Sequence, residues 1–495
     1  MSVSNLSRTE TLDPQDWRAM RDLAHRMVDD AFAYLETVRE RPAWQEVPAA
    51  VVQTFSDSVP LEPQGAERAY QDFKENVMPY PMGNIHPRFW AWYMGSGTVL
   101  GALGDFLAAV LNSNMGGGNH AAVLVEQQVI GWCKQMIHFP TDASGLMVSG
   151  ASEANLIGLT VARNTQADAD VRSEGVAAAP RPLVFYSSAE VHSCHQKAAE
   201  LLGLGSRALH KVSVDSLYRI DVAALAAVVA ADRAAGAKPF CVVGNAGTIN
   251  TGAVDDLNAL ADFCEREGLW FHVDGAIGGF VSLSPQLEHL VSGIERADSV
   301  ALDLHKWLHV PFEAGVALVR HEKAHRHTFS LTPDYLQHAT RGVAGGELWF
   351  SDYGVQLSRG FKALKVWLSF KEHGVRKYGR LMEQNVAQAH YFAGLVEQEA
   401  GLELTAPVGL DIVCFRFNPG GLSDEALDAL NKELLIRIHE SGIAVPSYTT
   451  LNGRYCLRVA ISNHRSTSQD FELFVRETVR LGEGLQGETP AVVTA

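Results

Sequence analysis

The chain has 495 residues, of which 47% are hydrophobic and 20% charged, and its formal net charge is −16 at pH 7. This length exceeds the usual size of a single domain, so we expect two or three packed units. The negative charge argues against nucleic acid and against an anionic membrane as partners.

Six cysteines occur at irregular positions, mostly inside apolar segments. This usage is typical of reduced, buried thiols and not of a disulfide framework or a zinc site, so no metal is predicted. Residues 1–11 lack the basic start and apolar core of a signal peptide. The most apolar stretch, 98–110, contains Asp105 and is too short to span a bilayer. We therefore expect a cytoplasmic protein with no membrane partner.

Apolar residues recur every three or four positions from Trp17 to Val38, which is the spacing of one helix face. Asp13 and Pro14 are expected to cap this helix at its start. A single apolar stripe on so long a helix must be covered, either by its own subunit or by a second copy of the chain. The apolar stripe alone does not distinguish between these two possibilities.

Residues 86–93 form the densest aromatic cluster of the chain. Such clusters usually belong to a core. Aromatic rings also suit a pocket for an aromatic ligand, because ring faces and edges pack with favourable geometry. The candidates for such a pocket are His86, Phe89, Trp90, Trp92 and Tyr93.

Gly150, Ala151 and Ser152 stand at the start of a predicted helix. The first backbone N–H groups of a helix point outward, and the helix dipole favours an anion there. Ser152 can add a hydroxyl donor, although a serine at this position is more often only a cap. Farther along, His192 opens the helix that follows the predicted strand 182–187.

Between residues 182 and 319, predicted strands alternate with predicted helices. This alternation indicates an α/β fold with a mostly parallel sheet covered on both faces. Ligands of such sheets bind beyond the carboxyl ends of the strands, where Thr248, Asp274 and Lys306 fall. The predicted strands are 182–187, 208–212, 240–244, 269–273, 299–302 and 315–319.

Lys306 and Asp274 are charged residues that stand just beyond short apolar runs, which we interpret as buried parallel strands. A lysine in such a place is costly unless it is paired or used chemically. Without water it loses its proton more easily and becomes a nucleophile that forms Schiff bases with aldehydes. Asp274 stands 32 positions earlier, about the length of one strand-helix-strand crossover. Pyridoxal phosphate requires such a pair, a lysine for its aldehyde and a carboxylate for its pyridine nitrogen.

These two residues lie in the motifs His-Val-Asp-Gly-Ala at 272–276 and His-Lys-Trp at 305–307. Together with the preceding segments, in this order, they resemble the pyridoxal-phosphate group II decarboxylases, most closely the aromatic-L-amino-acid decarboxylases. The resemblance extends from about residue 13 to residue 470. It implies a fold-type-I enzyme that holds pyridoxal 5′-phosphate on Lys306 as an internal aldimine. It also implies a homodimer with active sites at the interface, the N-terminal helix packing across the partner.

The resemblance implies roles for individual residues. His192 is expected to lie flat on the cofactor ring and Ala276 to pack against its opposite face, while residues 150–152 cradle the phosphate. Residues of the 86–93 cluster are expected to line the pocket for the substrate's side chain. The cofactor-binding residues implied are Gly150, Ala151, Ser152, His192, Thr248, Asp274, Ala276, His305 and Lys306.

Tyr335 lies in the segment 329–347, which is rich in glycine and polar residues and is long enough to serve as a lid. In similar decarboxylases the tyrosine of Pro-x-Tyr-Leu donates a proton to the substrate's α-carbon, whereas aldehyde-forming relatives commonly have phenylalanine. With Lys306, Asp274 and His192, Tyr335 completes the predicted catalytic set, and it favours simple decarboxylation.

Two positions depart from the family pattern. Asp303 stands where the family often has asparagine. Arg359, which matches an arginine near the phosphate, lies in Ser-Arg-Gly where Gly-Arg-Arg is usual.

We therefore predict an N-terminal helical segment (1–85), a large cofactor-binding domain with a seven-stranded type of sheet (86–374) and a small C-terminal α+β domain (375–495). The expected activity is conversion of an L-amino acid, an aromatic one, into its amine and CO₂. Two alternatives stay open on the same cofactor: a non-aromatic substrate such as glutamate or diaminobutyrate, and an aldehyde-forming reaction. An alternative of a different class is a catalytically silent binding protein with the same fold.

Overall fold

The structure is a computed structural model that describes residues 10–331, 339–346 and 348–488. The described part of the chain begins with four α-helices. Asp16, and not Asp13 as the sequence suggested, caps the first of them by accepting hydrogen bonds from Arg18 N and Ala19 N. These helices are α1 (Trp17–Glu36), α2 (Ala49–Thr54), α3 (Ala66–Asn76) and α4 (Val99–Leu111).

The apolar stripe of α1 is only partly covered by its own subunit. Leu23 is the one residue of α1 that is buried, whereas Trp17, Met20 and Met27 are exposed. Apolar side chains of α4 are exposed as well. Within the described residues, no helix has the length and apolarity needed to cross a membrane.

A seven-stranded sheet forms the centre of the large domain, in the order β1-β7-β6-β5-β4-β2-β3. Only β7 runs in the direction opposite to the other six strands, so the predicted mostly parallel sheet is confirmed. The strands are β1 (Ser144–Val148), β2 (Leu183–Ser188), β3 (Leu209–Val212), β4 (Lys238–Asn245), β5 (Trp270–Asp274), β6 (Ser299–Asp303) and β7 (Gly315–Val319).

Helices cover both faces of this sheet, which is why strands such as β5, β6 and β7 are buried along their whole length. Local sequence sets the helix ends: Asp256 caps α10 at its start, and Gly268, in the left-handed conformation at φ 65°, ends it. The helices are α5 (Ala121–Met136), α6 (Ala151–Gln166), α7 (Val171–Glu174), α8 (Cys194–Leu201), α9 (Val222–Ala234), α10 (Leu257–Glu267), α11 (Glu322–Phe329) and α12 (Ala363–His373).

The C-terminal part contains a four-stranded antiparallel sheet in the order β10-β11-β9-β8, packed against helices. Its core is separate from the core around the large sheet. The elements are α13 (Val375–Gln398), β8 (Leu402–Leu404), β9 (Ile412–Phe417), α14 (Asp424–Glu440), β10 (Ser447–Leu451), β11 (Arg454–Ala460) and α15 (Ser468–Glu488).

Residues 88–90 come early in the chain, but their backbone bonds to the C-terminal part and Trp90 belongs to its core. Trp90 N donates to Val445 O at 2.8 Å, and Ala460 N donates to Trp90 O at 3.0 Å. The Trp90 ring packs against Phe471 and Phe474, with centroid distances of 5.2 and 5.3 Å. The segment therefore joins the two parts of the fold.

Candidate active site

A cavity of about 210 Å³ opens at the carboxyl ends of β4, β5 and β6, beside the first turn of α6. It is the place where the parallel strands of an α/β sheet are expected to bind ligands. Nine residues predicted from the sequence line it: Gly150, Ala151, Ser152, His192, Thr248, Asp274, Ala276, His305 and Lys306.

Lys306 follows β6 and is held by a carboxylate of the same turn. Its Nζ lies 3.0 Å from Asp303 Oδ2, and both groups are largely buried, with side-chain exposures of 19% and 3%. The other carboxylate oxygen of Asp303 accepts a hydrogen bond from Ala151 N at 2.7 Å. Asp303 thus links the lysine to the start of α6.

Asp274 ends β5 and accepts three hydrogen bonds. Its Oδ2 accepts from His195 Nε2 at 2.9 Å and from Asn155 Nδ2 at 3.0 Å. Its Oδ1 accepts from Ala276 N at 3.1 Å. Three donors on one buried carboxylate fix its orientation and stabilise its anionic form.

The pKa values agree with this geometry. Burial raises the pKa of the Asp274 carboxyl, but the hydrogen bond from His195 and the charges of His195 and Lys306 outweigh burial, so the pKa falls below its usual value. Burial lowers the pKa of His195, but the neighbouring Cys194 and Asp274 outweigh it and raise the pKa. Asp274 is therefore an anion at neutral pH.

The start of α6 has room for an anion beside the lysine. A methyl group on Gly150 would lie 3.2 Å from His305 Cε1 and 3.4 Å from Asp303 Oδ1, so a larger residue would narrow the cavity. Ser152 is exposed at its mouth. Ala151 N, a backbone group of the predicted phosphate site, already donates a hydrogen bond to the Asp303 carboxylate.

His192 lies on the solvent side of the cavity, and its Nδ1 accepts a hydrogen bond from Cys194 N at 3.2 Å. Cys194 is buried behind it. Burial raises the pKa of the Cys194 thiol, but His195 and His192 outweigh it and lower the pKa to about 6.

Trp90 and Tyr93 of the aromatic cluster lie away from this cavity. Trp90 Nε1 donates to Ser466 Oγ at 3.0 Å inside the C-terminal core. Tyr93 is 4% exposed and its hydroxyl donates to Asp411 Oδ2 at 2.8 Å. Both polar groups are therefore occupied by protein partners.

The other three members of the cluster are also outside the cavity lining. His86 and Phe89 are buried, and burial lowers the pKa of His86 to about 4. Trp92 differs, since 52% of it is exposed and its φ is 51°. Their assignment to the substrate's side chain stays a prediction.

Two further sequence predictions fall elsewhere. Tyr335 lies outside the described residues, so its role stays a prediction. Arg359 is buried away from the cavity, where it pairs with Glu126 Oε1 at 2.6 Å and donates to the carbonyl oxygens of Met115 and Met147. Arg359 therefore ties the connection before α5 to β1.

Two residues that contact Asp274 were not predicted from the sequence. Asn155 lines the cavity and His195 does not, and each stands inside a helix as an ordinary polar residue. A search for polar residues one helical turn beyond Ser152 points to Asn155, because i and i+3 share a helix face. His192 precedes α8, so the same rule does not identify His195. The remaining lining residues are Cys194, Asn245, Gly247, Ile249, Ile277 and Asp303.

The arrangement fits pyridoxal phosphate. One cavity presents a lysine amine, an anionic carboxylate with three donors, and a glycine-containing helix start where a phosphate can approach the backbone. Lys306 would hold the aldehyde, Asp274 the pyridine nitrogen and residues 150–152 the phosphate.

Comparison with known proteins gives the same reading. Residues 48–418 match the family model described as the pyridoxal-dependent decarboxylase conserved domain. The chain is 33% identical to an aromatic-L-amino-acid decarboxylase of Bacillus atrophaeus over 96% of this chain and 97% of that protein. It is 30% identical to a phenylacetaldehyde synthase of Arabidopsis thaliana, over 91% of this chain and 93% of that protein.

Solved structures resemble the whole fold. A crystal structure of Oryza sativa TDC with PLP and tryptamine superposes with a TM-score of 0.88 at 26% identity, over 96% of this chain and all of the other.

Proposed function

The chain belongs to the pyridoxal-dependent decarboxylase family, and from this premise we propose that it converts an aromatic L-amino acid into the corresponding amine and CO₂. It is a PLP-dependent amino-acid decarboxylase. The proposal concerns the substrate and the outcome of the reaction. The observation that carries it is the meeting of Lys306, Asp274 and His192 at one cavity in a chain similar to an aromatic-L-amino-acid decarboxylase along nearly its whole length.

When bound, pyridoxal phosphate supplies an aldehyde for an amine and a protonated ring that accepts the electron pair left when CO₂ departs. Lys306 would hold the cofactor through its amine. Asp274, held anionic by its three donors, would keep a proton on the ring nitrogen. His192, on the open side of the cavity, is in position to cover the ring and to contact the substrate carboxylate.

Which bond of the substrate breaks depends on how the substrate is oriented in the site. The bond that breaks must stand perpendicular to the ring plane, and holding the substrate in that orientation is a binding task. The α-carbon then needs a proton from one side, and we assign this step to Tyr335.

The substrate is tested by incubating the purified enzyme, loaded with pyridoxal phosphate, with a panel of free L-amino acids and measuring CO₂ and amine. We expect aromatic amino acids to react fastest. If only glutamate or a diamino acid reacts, the aromatic assignment is wrong.

An aldehyde-forming reaction is the second candidate, favoured by the similarity to the phenylacetaldehyde synthase. Hydrogen peroxide and ammonia in the same assays would distinguish it from simple decarboxylation.

A catalytically silent protein of this fold is tested with Lys306→Ala. This variant should lose both the visible absorbance of the bound cofactor and the amine product. Lys211→Ala, which changes an exposed lysine of β3 in the same sheet, should keep both.

A homodimer is part of the proposal. The exposed apolar side chains of α1 and α4 support it, with exposures of 63% for Trp17, 60% for Phe106 and 66% for Val110. Val110→Asp should shift the sedimentation equilibrium toward monomer. Leu201→Asp, an equally exposed change on α8, should not.

Six buried cysteines without disulfides support a cytoplasmic location.

A further inference from the structure

Behind Asp274, a line of buried polar side chains runs from β5 and β6 to the carboxylate. Trp270 Nε1 donates to Ser299 Oγ at 2.8 Å, and Ser299 Oγ lies 2.7 Å from His272 Nδ1. His272 Nε2 lies 2.8 Å from Asn155 Oδ1, and Asn155 Nδ2 donates to Asp274 Oδ2 at 3.0 Å.

The chemistry of these groups fixes the direction of every hydrogen bond. A carboxylate only accepts, so the Asn155 amide must present its NH₂ to Asp274 and its oxygen to His272. An amide oxygen also only accepts, so His272 must carry its proton on Nε2. Burial first, and then the charge of His195, lower the pKa of His272 to about 3, so the ring is neutral.

A neutral ring with its proton on Nε2 has an acceptor at Nδ1. The Ser299 hydroxyl must therefore donate to His272 Nδ1, which leaves Ser299 Oγ to accept from the indole of Trp270. All four hydrogen bonds thus point the same way, toward Asp274. Aligned hydrogen bonds polarise one another, and inside a protein they are little screened.

Helix α6 packs closely against this line of side chains. A methyl group on Gly158, in α6, would lie 2.6 Å from His272 Cε1. Asn155, His272 and Ser299 are each fully buried. The three side chains come from α6, β5 and β6, so no single element of secondary structure requires them to bond.

We infer that Ser299, His272 and Asn155 are positioning residues that act through Asp274 on the ring nitrogen of the cofactor. By donating toward the carboxylate they hold it anionic and aimed into the cavity, although Ser299 and His272 do not line the cavity themselves. This inference rests on the proposed pairing of Asp274 with the pyridine nitrogen, and it does not depend on which amino acid is the substrate.

The test compares two ligands on the cofactor-free full-length protein. One is pyridoxal phosphate, and the other is its analogue with a carbon atom in place of the ring nitrogen. Dissociation constants are measured by absorbance titration. Loss of a side chain that acts through Asp274 on the nitrogen should weaken binding of the first ligand only. Loss of a merely structural side chain should weaken binding of both ligands.

Ser299→Ala should weaken binding of pyridoxal phosphate about threefold, and His272→Phe about tenfold, because hydrogen bonds that support a charge are lost. Binding of the carbon analogue should change less than about twofold. The matched control is Ser144→Ala. Ser144 is a buried serine of β1 that also bonds a buried histidine, with 2.8 Å between its Oγ and His325 Nδ1.

Ser144 and Ser299 lie at the same level of the sheet, since both pair with Val319 of β7. Ser144→Ala should leave both dissociation constants unchanged. Equal losses for the two ligands in Ser299→Ala and His272→Phe, or no loss for either ligand, would overturn the inference.

Asp274→Asn separates the two levels of the proposal. Suppose that Asp274→Asn weakens binding of pyridoxal phosphate more than binding of the carbon analogue, and that the Ser299 and His272 variants do not. The line of hydrogen bonds is then not functional, and the pairing of Asp274 with the ring nitrogen stands. If Asp274→Asn does not discriminate, the pairing itself is wrong and the inference falls with it.

Discussion

The ion pair between Lys306 and Asp303 makes a measurable prediction for the uptake of cofactor. To react with the aldehyde of pyridoxal phosphate, the Lys306 amine of the cofactor-free protein must leave its contact with Asp303. In Asp303→Asn the amide oxygen can still accept from Ala151 N, but an NH₂ group replaces the carboxylate oxygen that lies 3.0 Å from Lys306 Nζ.

The size of the effect follows from the geometry. A hydrogen bond to a charged group contributes about 1.5–3 kcal/mol, and Asp303 is nearly inaccessible to screening water. A change of about 1.4 kcal/mol in a barrier changes a rate about tenfold. Cofactor uptake should therefore be about 10- to 100-fold faster in Asp303→Asn, because the amine no longer has to break this ion pair.

Stopped-flow absorbance after mixing cofactor-free protein with pyridoxal phosphate measures this rate. Glu153→Gln is the control, because Glu153 also belongs to the first turn of α6 but accepts from Ser149 N and Ser149 Oγ. It should leave the rate of uptake unchanged. An unchanged rate in Asp303→Asn would refute the assignment of Asp303 as the partner of the free amine.

Three further predictions concern the lid, the packing and the pH dependence. Tyr335→Phe should shift the products from amine toward aldehyde, hydrogen peroxide and ammonia, because the α-carbon loses its proton donor; an unchanged amine yield removes Tyr335 from that step. Gly158→Ala should destabilise the fold by about 1–3 kcal/mol, because its methyl group would overlap His272, whereas Gly131→Ala in α5 meets no atom within 4 Å and should be neutral or stabilising; thermal unfolding compares the two. Burial raises the pKa of Asp411 to about 7, well above its value in the unfolded chain. The unfolded state therefore loses this proton first, and stability should fall as the pH rises from about 4 to 7. Asp411→Asn should remove that part of the slope in urea unfolding measured across this pH range, and an unchanged slope would contradict it.

The sequence predicted the large sheet well because its strands are apolar runs separated by helices with clear caps. One of the expected helices, between the predicted strands 208–212 and 240–244, is α9, where Asp221 accepts from Ala223 N and Ala224 N. The direction of β7 was harder to predict. Its connection from β6 is too short for a crossover helix, so it returns beside β6 in the antiparallel sense.

The site was predicted only where its residues stand at strand or helix ends. Lys306 and Asp274 are unusual at such places, and their chemistry is recognisable. Asn155 and His272 could not be recognised in this way, because they bond each other across 117 positions of the chain. No local pattern announces such a pair. The aromatic cluster shows the opposite limit, since a run of rings does not say which of them face a cavity and which fill a core.

The location of residues 88–90 also has a consequence for synthesis of the protein. The indole of Trp90 bonds to Ser466, which is added 376 positions later. At about 5–20 residues per second, a ribosome needs roughly 20 to 75 seconds to cover that distance. For this time the Trp90 indole lacks Ser466, Phe471 and Phe474, the residues it contacts in the folded chain. Nascent chains stalled before residue 466 should therefore bind a chaperone through this segment, and completed chains should release it.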